Sequence, residues 1–185
     1  MLLLRGPNGC GKTSILNAIA GIVPQRIKAE VQGGIILNGT ELNPIALNQR
    51  LRFLAYQMSD PDTQIFFPRG VKELSFALEN LGLPRTEIQA RLDAAASAFG
   101  LEQLLHRDPA LLSLGQKKLL LTAVCSTLQT PLILLDEPAQ GLDDSAFTLL
   151  TKWLQEKMAS GTIIIAAEHD HRLSEMATQI MEHGD

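Results

Sequence analysis

The segment from residue 6 to residue 13 is the feature that most constrains how this chain can fold. Its sequence matches the pattern G-x-x-x-x-G-K-[ST] in full: Gly6-Pro7-Asn8-Gly9-Cys10-Gly11-Lys12-Thr13. Glycines let such a loop wrap a phosphate chain with its N–H groups pointing inward, and the following helix presents its positive N-terminus. An apolar run, Leu2–Leu4, precedes the loop and an apolar-periodic segment follows it. The pattern therefore predicts a strand, a phosphate-binding loop and a helix rather than an ordinary glycine-rich turn.

Two side chains at the end of this loop predict what it binds. The Lys12 ammonium can reach the β- and γ-phosphates, and the Thr13 hydroxyl can ligate Mg²⁺. The loop therefore predicts binding of a nucleoside triphosphate. The predicted nucleotide-binding residues of this segment are Asn8, Gly9, Cys10, Gly11, Lys12, Thr13 and Ser14.

Composition and charge limit the kinds of protein that this chain can be. The 185 residues are 45% hydrophobic and contain no low-complexity tract, which predicts one globular domain over residues 1–185. A formal net charge of −4 disfavours general binding to nucleic acid. Cys10 and Cys125 match no metal or redox spacing and favour a reducing, cytoplasmic compartment. No segment approaches the roughly 18–20 apolar residues of a membrane span, so a membrane role would require a partner.

Short apolar runs predict strands, and apolar periodicity predicts helices. The last two strands are continuously apolar, as in a parallel sheet that is buried on both faces. The predicted strands are Met1–Leu4, Gly34–Leu37, Arg52–Tyr56, Leu132–Leu135 and Thr162–Ala167. The predicted helices are Thr13–Ala20, Thr86–Phe99 with Thr86 and Gln89 as a capping box, one that begins after Ser113, and Asp144 to about Met158.

The stretch from about Asp60 to Leu112 contains proline and glycine breaks and lacks strand signals, which predicts an inserted group of helices. The predicted fold is α/β, a mostly parallel sheet flanked by helices with an inserted helical subdomain. Residues 1–58 and 117–185 would form the sheet core, and residues 59–116 the helical part.

Two carboxylates end the apolar strand Leu132–Leu135 and form the second chemical signal. Because the carboxyl ends of parallel strands meet at one edge of a sheet, Asp136 and Glu137 are expected near the phosphate loop. Asp136 can hold Mg²⁺, and Glu137 can polarise a water molecule for attack on the γ-phosphate. Alone, the pair would indicate a solvated strand end; beside a phosphate loop, the catalytic interpretation is favoured.

Ser113 and Gln116 have the spacing of a second capping box, and a simple helix start would explain them. The same helix N-terminus, with a hydroxyl and Gly115, is also suited to a γ-phosphate. If the Lys12 loop holds one nucleotide, this second site must serve a different nucleotide or that of a second molecule.

Six motifs in order make the sequence resemble the ATPase subunit of an ABC transporter over nearly its whole length. They correspond to the Walker A loop, the Q-loop, the signature, Walker B, the D-loop and the switch histidine. Their residues here are Gly6–Thr13, Gln57, Leu112–Gln116, Asp136-Glu137-Pro138, Gly141-Leu142-Asp143 and His169-Asp170. A narrower likeness, to importers of the energy-coupling-factor and cobalt/nickel group, is carried by residues 59–84, Leu114 and the pair Lys117-Lys118.

The resemblance implies a role for each motif. Glu137 would be the general base, His169 would hydrogen-bond the γ-phosphate, and Gln57 would sense both Mg²⁺ and the attacking water. The implied Mg²⁺ residues are Thr13, Gln57 and Asp136. The residues Ser113, Gly115 and Gln116 would close over ATP bound to an opposite subunit, and the D-loop adds Asp143 to the nucleotide-binding set.

The resemblance also implies partners and location. The partners would be a second ABC ATPase subunit, identical or different, and an integral membrane transporter subunit that docks on the helical insert near Gln57. No nucleic acid is expected. The chain would be cytoplasmic and peripheral on the inner face of the cell membrane. The transported substrate is not visible in this sequence.

The chain departs from the family pattern at its ends and at three positions. Only five residues precede the loop, so the N-terminal antiparallel sheet and its adenine-stacking aromatic are expected to be largely missing, as are the last strands. The chain is either a compact natural form or a fragment. Leu114 stands for a usual glycine, Ala139 for a common threonine, and Glu168 for a frequent threonine or serine.

Two other functions stay open on the sequence: a soluble ABC ATPase outside transport, and a nucleotide-binding head without turnover. The intact Glu137 and His169 argue against the second. His106, Trp153 and His183 are expected to have structural or surface roles.

Overall fold

The computed structural model describes residues 1–182 and contains seven strands and eight helices in that range. The strands are β1 (Leu2–Arg5), β2 (Ile36–Leu37), β3 (Thr40–Glu41), β4 (Leu54–Gln57), β5 (Leu132–Asp136), β6 (Ile163–Ala167) and β7 (Gln179–Glu182). The helices are α1 (Lys12–Ala20), α2 (Ile22–Gln25), α3 (Leu47–Arg50), α4 (Gly70–Asn80), α5 (Arg85–Phe99), α6 (Leu114–Thr127), α7 (Asp144–Ala159) and α8 (His171–Ser174). Two short 3₁₀ turns, Pro61–Thr63 and Pro109–Leu111, lie in the insert.

Five strands form the main sheet in the order β4-β5-β6-β1-β7, and every neighbouring pair is parallel. All five residues of β5 are buried, as the continuous apolar run predicts. Because all the strands are parallel, their carboxyl ends meet at one edge, where the loops after β1, β5 and β6 lie together. The predicted α/β fold with a mostly parallel sheet and inserted helices is confirmed.

Alternation along the strands divides the core into two layers. Leu132 and Leu134 of β5 face α1, together with Leu4 and Leu16; this side is called the α1 face. The alternate β5 residues, Ile133 and Leu135, face α6 and α7 on the opposite side, called the α6 face. The α6-face cluster also contains Leu74, Leu78, Phe99, Leu150 and Trp153. The parity of a residue along β5 therefore decides which layer it enters.

The inserted helices cover the α6 face. Helices α4 and α5 both contact α6, and α5 and α6 also contact α7. Phe99 of α5 meets Trp153 of α7 edge-on, with ring centroids 5.8 Å apart. Trp153 is thus a core residue and His106 is exposed, as expected, while His183 lies outside the described residues.

Two local predictions were wrong. The expected strand Gly34–Leu37 does not join the main sheet: only Ile36–Leu37 is extended, and it pairs antiparallel with Thr40–Glu41. The turn between them is Asn38-Gly39, both at positive φ, a hairpin signal that outweighed the apolar run. The predicted capping box of Thr86 and Gln89 is absent, because α5 begins at Arg85 after Pro84 and places Thr86 inside the first turn.

The expected loss of the last strands was also wrong for β7. Its four residues are exposed, so they give no burial pattern, and the strand is held by its parallel pairing with β1. Nearer the other end of the chain, the hairpin β2–β3 is the one antiparallel pair within residues 1–182. Over the same residues, every helix is too short or too polar to cross a bilayer.

The core assignment predicts that Leu150→Ala destabilises the chain. Leu150 is fully buried on the α6 face, and truncating a buried leucine costs about 2–5 kcal/mol of unfolding free energy. Leu111→Ala is the matched control: Leu111 is 83% exposed, so its loss should change stability by less than about 0.5 kcal/mol. Urea unfolding measures both, and equal effects would contradict the layer assignment.

Candidate nucleotide site

The loop between β1 and α1 has the backbone shape that its glycines predict. Gly6, Gly9 and Gly11 have φ values of 148°, 84° and 105°, a region that other residues rarely adopt. Helix α1 starts at Lys12 after Gly11, and no side chain caps its first turn. The N–H groups at this helix start are therefore free of side-chain acceptors and suited to bind an anion.

The Lys12 side chain lies inside the curve of the loop. Only 6% of the residue is exposed, and its Nζ donates to the carbonyl oxygens of Gly6 at 2.8 Å and Pro7 at 3.0 Å. The ammonium thus lies in the concave side of the loop, where a phosphate chain would be wrapped.

Thr13 and Asp136 meet across the sheet edge. The Thr13 hydroxyl donates to Oδ2 of Asp136 at 2.8 Å. Asp136 continues the alternation of Leu132 and Leu134, so its side chain leaves β5 on the α1 face. Burial raises the pKa of the Asp136 carboxyl, and the Thr13 hydrogen bond and the Lys118 ammonium oppose that shift. A carboxylate and a hydroxyl in contact are oxygen ligands of the kind Mg²⁺ prefers, so these residues fit that ion.

Glu137 follows Asp136 and has a special backbone conformation. Its φ of +50° lies in the left-handed region, uncommon for a residue other than glycine. The Glu137 N–H donates to the Ala167 carbonyl at 2.8 Å, which joins this turn to the end of β6. The same turn brings Oε1 of Glu137 to 4.0 Å from Nε2 of His169. The predicted general base, Glu137, and the predicted γ-phosphate ligand, His169, therefore face the same space.

That space is an open pocket of about 620 Å³ between the three loops. Its lining residues are Pro7, Asn8, Glu137, Ala139, Gln140, Gly141, Leu142, Glu168, His169, Asp170 and Arg172. Arg172 is held there by Asp170 and Asp144, and its guanidinium lies 3.9 Å from the centre of the Phe147 ring. The structure thus brings together the loop, Glu137 and His169, three segments far apart in sequence.

Gln57 lies elsewhere, and this corrects its expected position beside Thr13 and Asp136. The side chain is fully buried, accepts a hydrogen bond from the Thr122 hydroxyl at 2.8 Å, and donates to the Lys118 carbonyl at 3.4 Å. Alternation is the reason: Tyr56 faces α1 and bonds to Asn17, so Gln57 points to the α6 face. Its catalytic and metal-binding roles stay predictions.

The residues of the predicted second phosphate site form the start of α6, and their binding of phosphate stays a prediction. Ser113 and Gln116 form the capping box, with Gln116 N–H to Ser113 Oγ at 3.2 Å and Ser113 N–H to Gln116 Oε1 at 3.0 Å. Gly115 touches the loop after Glu137, since a Cβ there would lie 2.6 Å from the Gly141 carbonyl oxygen. The signature residues border that loop but do not line the pocket. Asp143 instead caps α7, accepting from the Ala146 N–H at 2.8 Å.

Two buried ionisable residues behind the site had no assigned role. Lys118 is fully buried, and its ammonium donates to the carbonyls of Ser59 and, at 3.4 Å, Asp136. Burial lowers the pKa of Lys118, while the carboxylates of Glu137, Asp136 and Glu168 oppose the shift. A lysine in the apolar run of α6 was the available signal. Glu168 is also buried.

The strand–loop–helix unit and the carboxylate at the end of β5, two strands away, define a P-loop nucleoside triphosphate-binding domain. The family model described as ABC transporter matches residues 1–140. The chain therefore belongs to the ABC transporter family and carries its ATP-binding domain.

Several proteins with related sequences are ATP-binding subunits of transporters. The chain is 31% identical over 187 residues to a putative ABC transporter ATP-binding protein of Treponema denticola, a match covering 100% of this chain and 38% of that protein. It is 33% identical to the cobalt import ATP-binding protein CbiO of Salmonella typhimurium, over 90% of this chain and 60% of CbiO. It is 32% identical to the energy-coupling factor transporter ATP-binding protein EcfA of Methanocaldococcus jannaschii, over 92% and 60%. The chain thus spans 38–60% of the length of these three relatives.

Solved structures agree on the fold. CbiO1 from Clostridium perfringens, part of the ABC transporter complex CbiONQ, superposes with a TM-score of 0.79 at 27% identity. That match covers 98% of this chain and 72% of CbiO1. A dimeric ATP-binding cassette, MJ0796 with ADP and Pi, gives a TM-score of 0.87 at 18% identity, over 99% and 80% of the two chains. The second likeness concerns the fold alone.

The contact between the signature and the loop after Glu137 predicts an effect of Gly141→Ala. Gly141 has a φ of +76°, and a Cβ there would lie 2.8 Å from Cδ2 of Leu114. The strain of the left-handed backbone costs about 1 kcal/mol, and displacing the Leu114 side chain, which is 44% exposed, should add up to about 1 kcal/mol of unfolding free energy. Leu114→Ala should remove the second cost in a double-mutant cycle measured by urea unfolding.

Gly82→Ala is the matched control for this measurement. Gly82 has a φ of +73°, but a Cβ there meets no atom within 4 Å, so only the backbone strain should appear. Equal losses at Gly82 and Gly141, or no coupling between Gly141 and Leu114, would contradict the close contact.

Proposed function

We propose that this chain is the ATP-binding and ATP-hydrolysing subunit of an ABC-type importer of the energy-coupling-factor kind. The observation that carries the proposal is that two contacts lie together at the carboxyl edge of the sheet. They are the Thr13–Asp136 hydrogen bond and the approach of Glu137 to His169. A loop that served only to start helix α1 would not need the buried Asp136 carboxylate bonded to Thr13. Nor would it need Glu137 in a left-handed conformation beside that carboxylate.

The residues divide the proposed reaction between them. Lys12 and the N–H groups at the start of α1 bind the phosphates and orient the γ-phosphate. Thr13 and Asp136 would hold Mg²⁺, and the bound ion would neutralise charge on the phosphate oxygens. Glu137 accepts a proton from the attacking water, and His169 donates a hydrogen bond to a γ-phosphate oxygen. The products are ADP and inorganic phosphate.

The signature supports pairing with a second ATPase subunit. Ser113, Gly115 and Gln116 form a helix start that suits phosphate, yet these residues do not line the pocket of their own chain. A second subunit would present its own signature to this pocket, with Asp143 near the contact. ATP would then join two subunits, and hydrolysis would release them. The second subunit can be identical or different.

An apolar groove between the insert and the sheet supports docking of an integral membrane subunit. The groove has a volume of about 300 Å³, and Phe66 and Phe76 at its side are 74% and 42% exposed. Other apolar lining residues are Ile22, Leu51, Met58, Leu121 and Val124. The β4 strand that contributes Gln57 lies beside this groove, which fits the expected link between site and partner. Such docking would place the chain on the cytoplasmic face of a membrane.

The resemblance to CbiO and EcfA favours a metal ion or a vitamin as the transported substrate. That choice would be made by membrane or binding subunits outside this chain. The formal net charge of −4 disfavours general binding to nucleic acid.

Glu137→Gln tests the general base. The variant should keep ATP binding and lose turnover by about 10²–10⁴-fold, because an amide cannot accept the proton of the attacking water. Steady-state ATPase assays and light-scattering mass with and without Mg-ATP measure the two properties, and a doubled mass on ATP would support pairing. Glu175→Gln is the control, because Glu175 is an exposed carboxylate at the C-terminal end of α8. Turnover equal to the unsubstituted chain would remove Glu137 from the mechanism.

Lys12→Ala tests the phosphate loop itself. Loss of the ammonium removes a charge-assisted hydrogen bond to phosphate, worth about 1.5–3 kcal/mol, and so should weaken Mg-ATP binding roughly 10–150-fold. Lys152→Ala removes an exposed lysine from α7 and should leave binding unchanged. Titration calorimetry measures both, and unchanged affinity in Lys12→Ala would overturn the assignment of the loop.

A further inference from the structure

The loop after β6 carries a buried carboxylate that the proposed hydrolysis does not use. Glu168 precedes His169 and is only 4% exposed. It lies one residue past β6 on the side of Ala166, which belongs to the α6 face. Ala139, two residues after Glu137, is buried in the same layer. A carboxylate is buried at this depth only when its charge is satisfied by hydrogen bonds or a cation.

Backbone N–H groups from two loops satisfy this carboxylate. Its Oε2 accepts from the Ala139 N–H at 2.9 Å, across 29 residues of sequence. Its Oε1 accepts from the N–H groups of His169 at 2.7 Å and Asp170 at 3.1 Å. Hydrogen bonds to an ionised acceptor are about twice as strong as neutral ones, so this side chain is a firm link between the two loops.

Hydrogen bonds to the end of β6 and to Glu168 hold the backbone on both sides of Glu137. Glu137 has its left-handed backbone held on one side by its own N–H, which donates to the Ala167 carbonyl at 2.8 Å. On the other side, the Ala139 N–H is held by Glu168. The turn that carries Glu137 is therefore attached to the end of β6 at two points, one before and one after its side chain. The second attachment depends on one side chain.

We infer that Glu168 is a positioning residue that sets the distance between Glu137 and His169 by joining their two loops. The inference rests on the proposed function for its catalytic consequence, but the link itself does not. Glu168 does not touch the pocket's reacting groups through its oxygens, which all accept backbone N–H groups. Its effect is to keep the distance between Glu137 and His169 constant. A shift of about 1 Å in such groups can lower the rate about 10²-fold.

The length of the side chain makes the inference testable. An aspartate at this position can accept from N–H groups one and two residues ahead, as short carboxylates do in turns. It lacks the methylene needed to reach Ala139. Glu168→Asp therefore retains the local bonds to His169 and Asp170 and removes the bond between the loops.

The experiment compares Glu168→Asp with Glu175→Asp, the same shortening at an exposed glutamate seven residues on. Amide hydrogen exchange of the full chain should be faster in residues 137–140 by about tenfold in Glu168→Asp, and unchanged in residues 168–170 and in the control. Steady-state assays should show kcat lowered by about tenfold with KM for ATP within about twofold, since the phosphate loop is not altered.

Glu168→Gln provides a second variant of equal size. Its amide has one acceptor oxygen, so one of the two loops must lose its bond, and exchange should rise in residues 137–140 or in residues 168–170. This variant keeps the inference testable if Glu168→Asp does not fold.

Two results would overturn the inference. Unchanged exchange at residues 137–140 would show that Glu168 does not hold the Glu137 turn. Faster exchange throughout the chain, with equal falls in kcat and in bound ATP, would show a general structural role. If Glu137→Gln hydrolyses ATP at the normal rate while Glu168→Asp loosens residues 137–140 alone, the proposed function fails and the link between the loops stands.

Discussion

The hydrogen bond between Thr13 and Asp136 depends on the alternation of side chains along β5, and the rest of the site depends on it. Leu132 and Leu134 pack against α1, so Asp136 leaves the strand on the same side and reaches the start of α1. One residue further on, the chain has left the strand, and Glu137 can turn toward His169. A shift of one residue in the register of β5 would send Asp136 into the α6 face and separate it from Thr13. The hydrophobic pattern of one strand thus places the predicted metal ligand Asp136 and the predicted general base Glu137 together.

Much of this arrangement could be predicted from local pattern. The loop of residues 6–13, the apolar strand before Asp136 and the capping box at Ser113 each combine short-range signals that agree with one another. The direction of Gln57 could not be predicted, because it depends on which face of β4 meets α1, a fact of tertiary packing. The hairpin at Asn38-Gly39 shows the opposite case, because its turn signal and the adjacent apolar run predict different structures and the turn decides the outcome. Strand β7 has neither signal, since only backbone pairing with β1 defines it.

The buried charges behind the site could not be predicted for a further reason. Lys118 and Glu168 each border an apolar run, and their hydrogen-bond partners are backbone atoms, among them the remote Ser59 carbonyl and Ala139 N–H. Sequence patterns describe side chains, whereas these two residues are explained by carbonyl and N–H groups that any residue would offer. The positive charge of Lys118 lies near the carboxylates of Asp136, Glu137 and Glu168 and offsets the repulsion between them.

The close approach of Gly115 and Gly141 has a mechanical consequence. Backbone meets backbone there, without a side chain that could change rotamer to absorb a displacement. The Gly141 carbonyl oxygen therefore limits how closely the start of α6 can approach the turn that follows Glu137. Because α6 also carries Lys118, the same contact helps to fix the distance between that ammonium and the Ser59 carbonyl.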